Sequence, residues 1–156
     1  MPRVLFVCLG NICRSPAAEG VFRSLVHKAG LEAQVEIASA GTIGYHKGVL
    51  PDARMRAAAS RRGIELVSRA RKFVREDFDR YDLIVPMDDE NLEALRELAR
   101  SEADLARLRP FCTFCTRHED RFVPDPYYGG AEGFEHVLNL LEDGCEALLR
   151  EVTRKA

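Results

Sequence analysis

No charge of one sign dominates this 156-residue chain: 23 Lys and Arg stand against 25 Asp and Glu, a formal net charge of −2. A nucleic-acid binder carries a basic excess to neutralise phosphates, so no such partner is expected. No apolar run approaches the ~20 residues of a membrane span. The short apolar stretch near the N-terminus has no cleavage site, so neither a membrane anchor nor a signal peptide is expected. Five cysteines cannot form an even disulfide framework, which points to a reducing compartment, the cytoplasm. Repeats, linkers and low-complexity tracts are missing as well. Residues 1–156 are therefore expected to fold as one domain with a real core.

What is present begins at the N-terminus. An apolar strand, Val4-Leu5-Phe6-Val7, runs into Cys8-Leu9-Gly10-Asn11-Ile12-Cys13-Arg14-Ser15-Pro16. A Cys, five residues and an Arg between a buried strand and a helix start form a phosphate cradle with a nucleophile at its base. Consecutive backbone N–H groups can curl inward to make an anion nest. Gly10 supplies conformations closed to other residues. Ser15 suits the N-cap and Pro16 the first helical position, and the positive end of the helix dipole would then face the anion. Arg14 adds a planar fork for two phosphate oxygens. A free thiol titrates near ~8.5, whereas helix N-termini and cations bring it to roughly 3.5–7.5. Cys8 is thus expected to be a thiolate, with the Ser15 hydroxyl placed to donate to it.

Apolar β-rich runs alternate with helical patterns along the rest of the chain. Strands are expected over Arg3–Cys8, Val35–Ala40, Leu83–Met87 and Leu108–Phe111. Helices are expected over Pro16–Ala29 (ended by Gly30), Pro51–Arg62 (ended by Gly63), Asp88–Arg100 and Ala131–Thr153. The last carries Phe134, Val137, Leu138, Leu141, Cys145, Leu148, Leu149 and Val152 at helical spacing. Strands separated by helices pair in parallel through crossovers. The expected fold is an α/β doubly wound sandwich, a four-stranded parallel sheet with helices on both faces. Ligands in such sheets sit beyond the carboxyl ends of strands, and Cys8, Thr42 and Asp88 fall there.

The segment Cys8 to Pro16 resembles the signature loop of the low-molecular-weight protein tyrosine phosphatases, C-x-G-N-x-C-R-S-P. The resemblance continues in Ser39-Ala40-Gly41-Thr42, in Met87-Asp88-Asp89-Glu90-Asn91 and in Asp125-Pro126-Tyr127-Tyr128, in family order over nearly the whole chain. It implies hydrolysis of phosphotyrosine through a cysteinyl phosphate. Cys8 would be the nucleophile, Arg14 the phosphate clamp and Asp125 the general acid, then the base. Loop residues Leu9, Gly10, Asn11, Ile12, Cys13 and Ser15 would surround the phosphate, and Tyr45, Tyr127 and Tyr128 would wall the ring. The substrate would be a phosphotyrosine-containing protein, with inorganic phosphate as product and inhibitor, and no cofactor or metal.

Asn11 and Ser39 would hold the loop through side-chain hydrogen bonds, although some relatives extend that network with a histidine where this chain has Ser68. Asp88 would either orient Arg14 or cap the following helix. Cys13 would either capture oxidised Cys8 as a disulfide or pack beneath the loop. His46 lies near the pocket.

Other constellations carry less. Cys112-x-x-Cys115-x-x-His118 has no second ligand pair for a zinc site. His27 and His136 read as surface or packing residues, and Arg61, Arg62, Arg69, Arg71, Lys72 and Arg75 as a solvated basic face. A thiol-dependent arsenate reductase of the same fold needs two relay cysteines, and Met87 to Arg109 contains none. A non-catalytic phosphate-binding module would not need a thiolate, an Arg fork and an acid together. Protein arginine phosphatases of this architecture place a Thr where Ile12 stands, so Ile12 favours tyrosine specificity.

Overall fold

Every residue of β1 (Arg3–Cys8) from Val4 onward is buried, as a central parallel strand requires. In the computed structural model, which describes residues 1–127 and 129–154, β1 lies between β2 (Glu36–Gly41) and β3 (Leu83–Pro86), both parallel to it. The register runs from Arg3↔Glu36 to Cys8↔Gly41 on one side and from Val4↔Leu83 to Val7↔Pro86 on the other. Alternation along β1 then divides the core. Val4, Phe6 and Cys8 join the residues of α1 (Arg14–Lys28) and of the long helix α6 (Ala131–Arg154). Leu5 and Val7 join Phe73, Phe78 and Tyr81 on the opposite face, together with Leu95 of α4 (Asp89–Leu98). Helices therefore cover both faces, as expected. The first crossover leaves β1 for one edge and the second returns to the other, which opens a crevice at the carboxyl end of β1.

Shorter helices complete the fold: α2 (Ala53–Ser60), α3 (Asp77–Arg80), α5 (Glu102–Ala106) and a 3-10 turn at Phe111–Phe114. α3 and α5 are too brief for a periodic signal to reveal.

The fourth strand expected over Leu108–Phe111 is a correction. Among the described residues the sheet has three strands, and Leu108 makes a single parallel bridge with Ile84. Arg109 N donates to Ile84 O at 3.0 Å, and the next donor from β3 would be Pro86, which has no N–H to continue the ladder. Phe111 turns inward instead and packs on Phe6, with ring centroids 6.4 Å apart. Gly144 of α6 makes room for it, because a Cβ there would lie 2.4 Å from the Phe111 ring.

The start of α1 is a second correction. It begins at Arg14 with Cys13 at the N-cap, so Ser15 and Pro16 lie inside the first turn. The Ser15 hydroxyl is turned toward Cys8 and does not cap the helix.

Candidate functional site

Cys8 ends β1 at the floor of a cavity of about 410 Å3, also lined by Leu9, Gly10, Ile12, Cys13 and Arg14. The loop between Cys8 and α1 is fixed from inside. Asn11 sits in the left-handed region at φ 58°, which its short amide tolerates better than most side chains. Gly10, expected to supply that freedom, has no positive φ among the described backbone angles. Its small size matters for space, since a Cβ would meet the His46 ring at 2.8 Å. Gly41 at the end of β2 serves likewise, for a Cβ there would stand 2.8 Å from Leu9 O. The chain beyond β2 then runs along the loop, with Thr42 N donating to Cys8 O at 2.9 Å and Ile43 N to Leu9 O at 3.1 Å.

A buried network carries this order to the sulfur. Asn11 Nδ2 donates to Ser15 Oγ at 2.7 Å and to Ser39 Oγ at 3.0 Å, and Asn11 Oδ1 accepts from Arg71 N at 3.0 Å. Ser15 Oγ lies 3.0 Å from Cys8 Sγ. Ser39 Oγ donates to Glu19 Oε1 at 2.6 Å, and Glu19 Oε2 accepts from Arg23 Nη2 at 2.6 Å, so the network runs out through Glu19 and Arg23 on one side and the Arg71 backbone on the other, without Ser68. Glu19 was not anticipated. The available signal was its place four residues after Ser15 on the same face of α1.

Arg14 is 2 % exposed, yet its charge is balanced. Nη1 donates to Asp88 Oδ2 at 2.6 Å and to Val123 O at 3.0 Å, and Nη2 lies 3.7 Å from Asp125 Oδ2. Burial opposes the charge, but the Cys8, Asp88 and Asp125 groups outweigh it and raise the guanidinium above its ordinary value. Asp88 fills both roles foreseen for it, because Oδ1 accepts from Asn91 N at 2.8 Å and caps α4. No side chain caps α1, which leaves its first-turn N–H groups facing the loop for an anion.

The walls of the cavity are Ile43, Tyr45, His46, Asp125 and Tyr127. Tyr45 is 84 % exposed and meets His46 edge to face at 4.9 Å. Asp125 Oδ1 accepts from Tyr127 N at 3.0 Å, which fixes the carboxylate ahead of Pro126. Tyr128 lies outside the described residues. Burial first, then the negative groups at Asp52, Cys8 and Asp125, push the Cys13 thiol well above its ordinary value.

Residues set aside in the sequence stay apart from the cavity. Cys112 and Cys115 lie against α6, where Cys115 Sγ donates to Leu140 O at 3.7 Å, and all five cysteines are free. No cluster of metal-ligating groups occurs among the described residues. His136 does have a partner, with Nε2 at 2.9 Å from Asp120 Oδ2. Arg61 and Arg62 pair with Glu135 and Glu142 of α6, and Arg71 pairs with Asp77.

Comparison with known proteins gives one answer. The family model for low molecular weight phosphotyrosine protein phosphatase matches residues 3–156. A low molecular weight protein-tyrosine-phosphatase of Streptomyces coelicolor is 47% identical over 152 residues, covering 96% of this chain and 93% of that one. The crystal structure of a protein tyrosine phosphatase from Entamoeba histolytica superposes with a TM-score of 0.96 at 39% identity, covering 99% of each chain. That of a Drosophila arginine phosphatase superposes with a TM-score of 0.88 at 31% identity, covering 96% of each.

Proposed function

The chain belongs to the low molecular weight phosphotyrosine protein phosphatases, and from that premise we propose how its residues carry out the reaction. The enzyme is a protein tyrosine phosphatase acting on phosphoproteins. Residues 1–156 work as one catalytic unit.

The phosphate of phosphotyrosine seats on the amides between Leu9 and Ser15 at the start of α1. Asp88 and Val123 O hold Nη1 of Arg14, so the remaining N–H groups of the fork meet two phosphate oxygens. Cys8 Sγ attacks phosphorus in line with the phenolic oxygen. The S–P bond forms as the P–O bond breaks, and Asp125 gives its proton to the departing oxygen. Water then attacks the cysteinyl phosphate, Asp125 takes its proton, and phosphate leaves as the S–P bond breaks. The Ser15 hydroxyl, 3.0 Å from Sγ, stabilises the sulfur as it departs. Ile12, Tyr45 and Tyr127 flank the ring, together with Tyr128 on the resemblance. Inorganic phosphate, the product, competes for the same cradle. A mechanism that needs a free Cys8 thiol fits a reducing compartment such as the cytoplasm. No helix among the described residues is long and apolar enough to cross a membrane.

One observation carries this reading: Cys8, Arg14 and Asp125 line a single cavity, with Arg14 Nη2 3.7 Å from Asp125 Oδ2. Similarity to an arginine phosphatase raises the rival substrate, but the apolar Ile12 gives a guanidinium nitrogen no partner. Arsenate reduction is disfavoured because Cys112 and Cys115 do not line the cavity. The test is phosphate release from a phosphotyrosine peptide and from a phosphoarginine substrate at mildly acidic pH without added metal. Turnover of phosphotyrosine alone is expected, and preference for phosphoarginine would overturn the specificity assignment.

A further inference from the structure

A second cavity, of about 330 Å3, opens beside the catalytic one and shares Leu9, Arg14 and Asp125 with it. Its remaining walls are Asp88, Asp89, Glu90 and Asn91 at the start of α4, and Phe122. Four carboxylates thus surround one guanidinium, and only Asp88 and Asp125 are engaged with it. Asp89 and Glu90 have no ion pair among the described residues. The helix dipole favours acidic residues in a first turn, which accounts for Asp89 and Glu90 as helix residues.

It does not account for their neighbours. Phe122 is 51 % exposed. Asn91 is 2 % exposed, and its Oδ1 is a buried acceptor with no donor among the described residues. Such an acceptor is costly until a donor reaches it. An exposed ring and two carboxylates without ion pairs stand around one hollow, with the unpaired amide oxygen of Asn91 buried in its wall, and a ring with carboxylates is the set that receives a guanidinium.

Building on the phosphatase reading above, we propose that this cavity is a subsite for a basic side chain, best an arginine, that flanks the phosphotyrosine in the substrate protein. The planar fork spans both carboxylates and stacks on Phe122, whereas lysine offers a point charge. Arg14 does not repel it, being held between Asp88 and Asp125. Arg121 precedes Phe122 but does not line the hollow.

The test compares kcat/KM for phosphotyrosine peptides carrying Arg, Lys, Leu or Glu at each nearby position, with a simple aryl phosphate measured alongside. At one position Arg is expected to exceed Glu by roughly tenfold, as a few partly exposed charge and ring contacts allow, and high salt should narrow the gap. In an Asp89→Asn, Glu90→Gln double variant the ratio should fall close to one, and Phe122→Ala should reduce the advantage of Arg over Lys. A wild type without positional preference, or a preference that survives in the double variant, overturns the subsite. If aryl phosphate and every peptide go unhydrolysed, the phosphatase reading itself fails. If aryl phosphate is hydrolysed and all peptides react equally, only the subsite fails.

Discussion

Asp88 grips Arg14 with one oxygen and the helix behind it with the other: Oδ2 accepts from Arg14 Nη1 at 2.6 Å and Oδ1 from Asn91 N at 2.8 Å. The two contacts separate by substitution. Asp88→Ala loses both, and a charge-assisted bond of about 1.5–3 kcal/mol corresponds to a fall in kcat/KM of roughly ten- to a hundredfold. Loss of the cap should lower stability by about 1 kcal/mol. Asp88→Asn keeps an oxygen for Asn91 N, so its Tm should be nearly unchanged while kcat/KM still falls. Kinetics and thermal melts on both variants check this, and a common loss of Tm and activity would reduce Asp88 to a scaffold residue.

Ile12 faces the cavity with no polar group. Ile12→Thr adds a hydroxyl to the cavity wall and should shift activity toward phosphoarginine while weakening that on phosphotyrosine. Steady-state rates on the two substrates decide it. A variant that gains nothing on phosphoarginine shows that specificity is set elsewhere.

Cys13 is buried beside the loop, and its raised pKa makes it a weak nucleophile while Cys8 is reduced. Burial is the largest cause of that rise. Cys13→Ser should keep the basal rate yet recover poorly when a thiol reductant follows a peroxide pulse, because no disulfide then shields Cys8 from further oxidation. Recovery equal to wild type would leave Cys13 a packing residue.

Far from the cavity, Asp143 of α6 gathers the segment after the 3-10 turn. It accepts from Thr116 N at 3.0 Å and Arg117 N at 2.9 Å, and its Oδ2 lies 2.8 Å from His118 Nδ1. Burial alone would raise its carboxyl, but the His118, Thr116 and Arg117 hydrogen bonds win and hold it well below the usual range. A group depressed in the folded state contributes stability above its unfolded pKa and loses it as pH falls through the folded value. Asp143→Asn should therefore cost about 2 kcal/mol near neutrality, and the gap to wild type should shrink progressively below about pH 5. Urea melts across that range check the sign, and a gap that widens on acidification would contradict it.

The legible parts of the site were those contiguous in sequence. Cys8 to Ser15 bring nucleophile, amides and arginine together in one loop, so their spacing, with the strand before, Gly10-Asn11 inside and Ser15-Pro16 after, pointed to a cradle. Asp88, Ser39 and Asp125 were placed by their order along a familiar chain, since a lone Asp-Pro could be any turn. Glu19 left only its place four residues after Ser15 as a signal, and the Arg71 backbone and Val123 O left none, because their contacts exist only once the loop after α2 and the segment ahead of Asp125 converge on the cradle. Ser15 misled as a cap because a stronger local demand, hydrogen bonding to Cys8 and Asn11, claims its hydroxyl. Leu108 misled as a strand because Pro86 offers no further N–H to pair with it and the space over Gly144 draws Phe111 inward. Phe122 drew no notice because it belongs to no motif, and Asn91 was read only as the end of Met87-Asp88-Asp89-Glu90-Asn91; only the folded chain sets both around one hollow with Asp125.

The central claim is that Cys8 and Asp125 act on opposite sides of one phosphorus. The most direct test is rapid acid quenching of Asp125→Ala with an aryl phosphate whose activated leaving group departs without a proton, followed by mass spectrometry of the fragment bearing Cys8. The account predicts a phosphoryl group on that fragment, accumulating because the water that should remove it lacks its base, and none in Cys8→Ser. A Cys8 fragment that stays unmodified while phosphate is released, or release that continues in Cys8→Ser, would contradict it.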